Sequence, residues 1–133
     1  MAYLNNNDNN DNNALTQLKE FAETKDKKIN ELFERLVSDT EKLEYSEIPM
    51  NVKNDILTNV EYIFTRLRFV LADEMRRVDY SLNKIDNDST IPATFKGFFT
   101  RRKTYLGGLN SRLNEIREDL SLVQKTVYYN YKY

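Results

Sequence analysis

The chain has no cysteine, no histidine and no tryptophan. Without cysteine there is no disulfide, no thiolate nucleophile and no thiolate metal site. Without histidine the commonest general base, the commonest transition-metal ligand and the side chain that changes charge near neutral pH are lost together. Only three glycines and two prolines occur in 133 residues. So few turning points favour a few long elements and argue against a β sandwich or barrel. No run of eighteen apolar residues is present, so no transmembrane helix is expected. The first residues lack the basic-then-apolar pattern of a signal peptide. A cytoplasmic, intracellular setting is therefore expected, with no membrane contact.

What is present is ordinary for a helical domain. Hydrophobic residues make up 40% and charged residues 31%, too apolar for full disorder. The length fits one domain. The net charge of −1 is unevenly spread: residues 1–50 carry eleven acids and six bases, residues 51–133 ten acids and fourteen bases. An acidic first segment can neutralise a basic remainder within one fold, or pair with it between molecules.

The chain is organised around residues 51–85, which contain no glycine or proline. Leu57, Phe64, Leu71, Val78 and Ile85 recur every seven residues. Ile56, Val60, Ile63, Leu67 and Val70 widen that stripe as far as Leu71. The first half of this helix is thus apolar on two sides and calls for a neighbour on each. Beyond Leu71 the stripe narrows, and a division between a core end and a contact end is expected there.

The flanking segments share the heptad pattern. Leu15, Ala22, Ile29, Leu36 and Leu43 define a first helix over residues 14–45, capped by Asn13. Lys25 falls on its seam within Thr24–Lys28, so a kink or break is expected there. Phe99, Leu106, Leu113, Leu120 and Val127 define a third helix over residues 94–127, capped by Thr94. Proline-containing connections at Pro49 and Pro92 separate the three. Residues 1–13, seven of them Asn, read as a flexible arm, with Tyr3 and Leu4 as possible anchors on a neighbour. Short connections make successive helices antiparallel neighbours. The expected fold is all-α: an elongated antiparallel three-helix bundle over residues 14–133, with coiled-coil-like packing.

The candidate sites are few. Gly107 and Gly108 stand inside the third helix, at a cost of about 1 kcal/mol each relative to alanine. A close-packing point or a kink would account for them. A helix-turn-helix with Arg112 and Arg117 reading bases is disfavoured, because Arg102 and Lys103 stand where that motif needs an aliphatic and a small residue. Lys96, Arg101, Lys103, Arg112 and Arg117, with Arg66, Arg68, Arg76 and Arg77 of the second helix, are candidate phosphate contacts. The competing reading is a solvated face paired with the acidic first helix. Arg102 lies on the heptad seam, so an interhelical partner such as Asp39 is expected for it. Tyr128, Tyr129, Tyr131 and Tyr133 form an aromatic tail suited to an interface. Glu74 lies near the seam with no evident partner, and no seam acids match in depth as a di-iron bundle requires. No P-loop is present. No catalytic residue, cofactor, metal or small-molecule substrate is expected.

The run Arg66-Leu67-Arg68-Phe69-Val70-Leu71 is similar to a short helical run in a GINS replication subunit, and the order of elements resembles the helical domain of that family. The small helical subunits of CRISPR effector complexes resemble the chain in the same general way. These resemblances cover a handful of amphipathic residues and imply a nucleic-acid-associated subunit. The residues themselves favour a non-enzymatic bundle acting through protein contacts, as an assembly or adaptor subunit or by self-association, over nucleic-acid binding through the basic face.

Overall fold

A computed structural model describes the backbone of residues 2–45 and 47–132 and the side chains of residues 12–45 and 47–125. Three helices make up the fold: α1 (Ala2–Lys42), α2 (Met50–Asp86) and α3 (Ala93–Lys132). Among the described residues there is no strand. The expected start of α1 near Asn13 is corrected to Ala2. The backbone of residues 2–13, expected as a flexible arm, is the first part of α1; the side chains of residues 2–11, and with them the expected anchors Tyr3 and Leu4, lie outside the described residues.

Local chemistry explains the breaks. The end of α1 tightens into i→i+3 bonds, with Leu43 N–H on the Thr40 carbonyl and Glu44 N–H on the Glu41 carbonyl. Pro49 then stands at the N-cap of α2, and its carbonyl accepts from Lys53 N–H at 3.0 Å. Proline fits there because a first-turn N–H has no intrahelical acceptor. At the other end of α2, Asn87 N–H reaches the carbonyls of Asn83 and Lys84. Asp88 next closes a turn by accepting from both the N–H and the hydroxyl of Thr90. These bonds hold the Asp88 carboxyl below the ordinary aspartate range: the Thr90 hydroxyl lowers it most, its N–H adds to that, and a slight desolvation opposes them. α3 begins at Ala93, so Thr94 lies in its first turn and not at the expected cap.

Directions follow from contacts between helices. Lys25 of α1 meets Glu74 of α2, while Asp39 meets Asn59, so numbers fall on α2 as they rise on α1. Lys96, Lys103 and Gln124 of α3 meet Asp86, Asp79 and Glu61 of α2, again antiparallel. α1 and α3 are parallel, as Asp26–Arg102 and Phe33–Arg112 show. Both pack mainly on α2 and touch each other sparsely. The expected central helix is thus α2.

The core is the heptad seam. Leu57, Val60, Ile63, Leu67, Leu71 and Val78 are buried on α2, against Ile29, Phe33, Leu36 and Leu43 of α1 and Leu106, Leu113 and Leu120 of α3. Burying a leucine- or isoleucine-sized side chain contributes about 1.5–3 kcal/mol. The apolar stripe narrows after Leu71 as expected: the next buried residue of α2 is a charged one, Glu74, followed by Val78. No helix among the described residues is long and apolar enough to cross a membrane.

Candidate functional site

Glu74 is 6% exposed and Arg102 9%, the two buried charged residues of the described chain. One turn of each helix meets here. The Arg102 guanidinium donates to Asp26 through both terminal nitrogens at 3.1 Å, and to Glu74 Oε2 at 3.2 Å. The other Glu74 oxygen accepts from Lys25 Nζ, which also lies 4.6 Å from the Phe21 ring centroid. Two anions and two cations therefore cross the bundle in one layer. Burial alone would lower the Arg102 pKa, but hydrogen bonds and charges from Asp26 and Glu74 outweigh it, and the net displacement is upward.

Three expectations are corrected by this layer. Thr24–Lys28 neither breaks nor ends α1, because Lys25 and Asp26 find partners inside the bundle. The mate of Arg102 is Asp26 with Glu74, not Asp39. Asp39 lies thirteen residues further on, about 20 Å along the axis, where it accepts from Asn59 and Lys42. And Glu74 does have a partner acid at its own depth, Asp26, with Arg102 between them. A cleft lined by Leu18, Ala22, Val78, Ser81, Phe98 and Phe99 opens beside the layer. No fully buried side-chain nitrogen or oxygen among the described residues lacks a hydrogen-bond partner. Among the described residues no group of three acids is placed to hold a metal ion.

The basic residues do not form one face. Lys96 and Lys103 pair with Asp86 and Asp79 along the α2–α3 flank, at 3.0 and 2.9 Å. On the α1 flank of α3, Arg112 stacks 5.0 Å from the Phe33 ring centroid, and Arg101 lines a cleft with Lys19 and Glu23. Arg76 and Arg77 both reach Asp73 on the outer side of α2, at 3.9 and 3.2 Å. Arg66 borders a cleft toward α1 with Lys28, Leu32 and Asp73. Among the described residues Arg66, Arg101 and Arg117 form no ion pair. The acids that neutralise this set belong mostly to α2, not to α1 as expected.

For the glycines, no close-packing point is found within the described chain. A Cβ built on Gly107 or Gly108 meets nothing within 4 Å, so neither permits a close approach within the chain. α3 runs through both without a turn, which removes the helix-turn-helix reading. The side chains of Tyr128, Tyr129 and Tyr131, and all of Tyr133, lie outside the described residues.

One feature was missed in the sequence. Tyr62, Phe69 and Tyr80 are 65%, 69% and 65% exposed on α2. Steps of seven and eleven residues return to the same side of a helix, so the three lie in a line. That line is opposite the buried seam. Arg66, Asp73, Arg76, Arg77 and Lys84 border it, and Lys84 Nζ lies 5.5 Å from the Tyr80 ring centroid. The signal was legible as a second, outward set of positions spaced by three and four residues.

Comparison with protein-family models, curated proteins and solved structures finds no match to this chain. The GINS-like and CRISPR-subunit resemblances gain no counterpart from it.

Proposed function

We propose that the chain is a non-enzymatic three-helix bundle acting through protein–protein contact, with the outer side of α2 as its docking surface. The observation that carries this is the aligned Tyr62, Phe69 and Tyr80, largely exposed and bordered by arginines. Aromatic and arginine side chains are enriched where proteins bind one another, and the aromatic rings bring large contact area at small entropic cost. The tail Tyr128, Tyr129, Tyr131 and Tyr133 belongs to the same proposal as a second contact element.

The test is capture from native host extract with the wild-type chain and with Tyr62→Ser/Phe69→Ser/Tyr80→Ser. The expected result is a specific partner retained by the first and lost by the second. Identical capture by both would remove α2 from the reading.

A second reading is a nucleic-acid-associated subunit. It is favoured by the same alternation of aromatic rings with Arg66, Arg76 and Arg77, since single strands bind by stacking and phosphate contact. It ranks lower because the basic residues are split among flanks and four of them, Arg76, Arg77, Lys96 and Lys103, are already paired. Binding of a labelled single strand at two salt concentrations checks it. Salt-sensitive binding weakened by Arg66→Ala would promote it, and no binding at low salt would remove it.

A further inference from the structure

We infer that the occupant of the outer α2 face is the same face of a second copy, lying antiparallel across a two-fold axis at Phe69. This rests on the protein-contact reading above. The positions involved are Asp55, Asn59, Tyr62, Arg66, Phe69, Asp73, Arg76, Tyr80 and Asn83. They step by fours and threes, the spacing of a coiled-coil seam, and they run on the side of α2 opposite its core.

The pattern is self-complementary in one orientation. Reversed about Phe69, it stacks Phe69 on its own symmetry mate. Seven residues away on either side, Tyr62 of one copy meets Arg76 of the other, with Arg77 next to it, which sets a guanidinium against a ring. Arg66 falls opposite Asp73, and Asp55 opposite Asn83, with Lys84 beside it. Each contact away from the axis occurs twice, as a two-fold interface requires. In the parallel orientation the same residues would face themselves, placing Arg66 on Arg66, Asp73 on Asp73 and Arg76 on Arg76. Like charges at that range repel, so the charge pattern selects the antiparallel pair. Within one copy Asp73 is bonded only to its exposed neighbours Arg76 and Arg77. Such pairs are weak and exchange readily for an intermolecular one.

The face from Asp55 to Lys84 is about 44 Å long and one helix wide, the low end of what a specific interface needs. The dimer is therefore a concentration-dependent equilibrium. Sedimentation velocity over a wide concentration range measures it, on the wild type, Phe69→Asp, Arg66→Asp, Asp73→Arg and the double swap Arg66→Asp/Asp73→Arg. Arg66 and Phe69 are exposed and Asp73 is half-buried, and circular dichroism checks that each variant keeps the wild-type melt. The expected result is a wild-type dimer whose dissociation constant rises at least about tenfold in Phe69→Asp and in each single charge reversal, and returns toward wild type in the double swap. A dimer indifferent to these substitutions overturns the inference, since it would form elsewhere. A monomer at every concentration overturns it too. In that case, host-extract capture sensitive to the Tyr62/Phe69/Tyr80 variant leaves the protein-contact reading standing with a foreign partner. Capture insensitive to it removes both.

Discussion

The two ends of the bundle are built from the same heptad and do different things. Between Leu57 and Leu71 the seam is closed by side chains with essentially no exposure: Ile29, Leu36, Val60, Leu67, Leu71 and Leu106. From Glu74 onward the central position is charged, and the apolar residues around it, Leu82, Phe98 and Phe99 among them, are half-buried. An apolar seam supplies free energy but tolerates sliding by a heptad, because one leucine layer resembles the next. A layer of Lys25, Asp26, Glu74 and Arg102 is satisfied in one register only, because any shift leaves charges buried and unpaired. The first end holds the helices together and the second sets how they align.

Substitutions can break or sharpen this contrast. Leu67→Ala, in the fully buried end, is expected to cost about 2–5 kcal/mol of unfolding free energy. Urea denaturation measures it, and Leu82→Ala at the looser end serves as the milder control. Arg102→Met comes next, at about 2–3 kcal/mol, because it strands Asp26 and leaves Glu74 with Lys25 alone. The loss stays below that of a fully enclosed pair since Asp26 and Lys25 are partly open to water. Gly107→Ala and Gly108→Ala go the other way. With open space at both Cβ positions, each is expected to raise stability by about 0.5–1 kcal/mol. A destabilised Gly→Ala variant would point to contact with a second molecule at that place.

The smallest effect lies outside the seam. The Asp88 carboxyl titrates below the ordinary aspartate range because the charged form accepts from Thr90. Its folded pKa is depressed, so its contribution is present above the unfolded value and lost as pH falls through the folded one. Carboxyl NMR should show a low midpoint that rises toward the ordinary value in Thr90→Val. Arg102 has the opposite sign, raised from an already high value. Its contribution is lost only in strong alkali, so the charged layer keeps its guanidinium charge at every pH of interest.

Much of the fold was legible in the sequence. Heptad leucines separated by Pro49 and Pro92 suffice for three antiparallel helices, and the narrowing after Leu71 marked the division between the ends. The mate of Arg102 was not legible. Choosing Asp26 over Asp39 needs the axial register of α1 against α3, which is set through α2 and two connections and not by any local pattern. The break expected at Thr24–Lys28 failed for the same reason: lysine on a seam weakens a helix only if nothing opposite neutralises it. Gly107 and Gly108 showed that something was to be explained but not what surrounds them. Of the candidate site, the arginines could be named one by one. Their division among three flanks depended on which side of each helix faces a neighbour, and the outward aromatics passed unnoticed because the inward stripe was the stronger pattern.

The division of labour between the two ends is tested most directly by removing the charged layer and measuring alignment. With no native cysteine, Glu34→Cys on α1 and Ser111→Cys on α3, both exposed, give a clean pair of spin-label sites. Distances between them would be recorded in the wild-type background and with Lys25→Met, Asp26→Leu, Glu74→Leu and Arg102→Met combined. The expected result is stability retained or raised, with the single narrow distance distribution of the wild type broadened or split. A variant distribution as narrow as the wild type, at the same distance, would contradict the assignment of register to the charged layer.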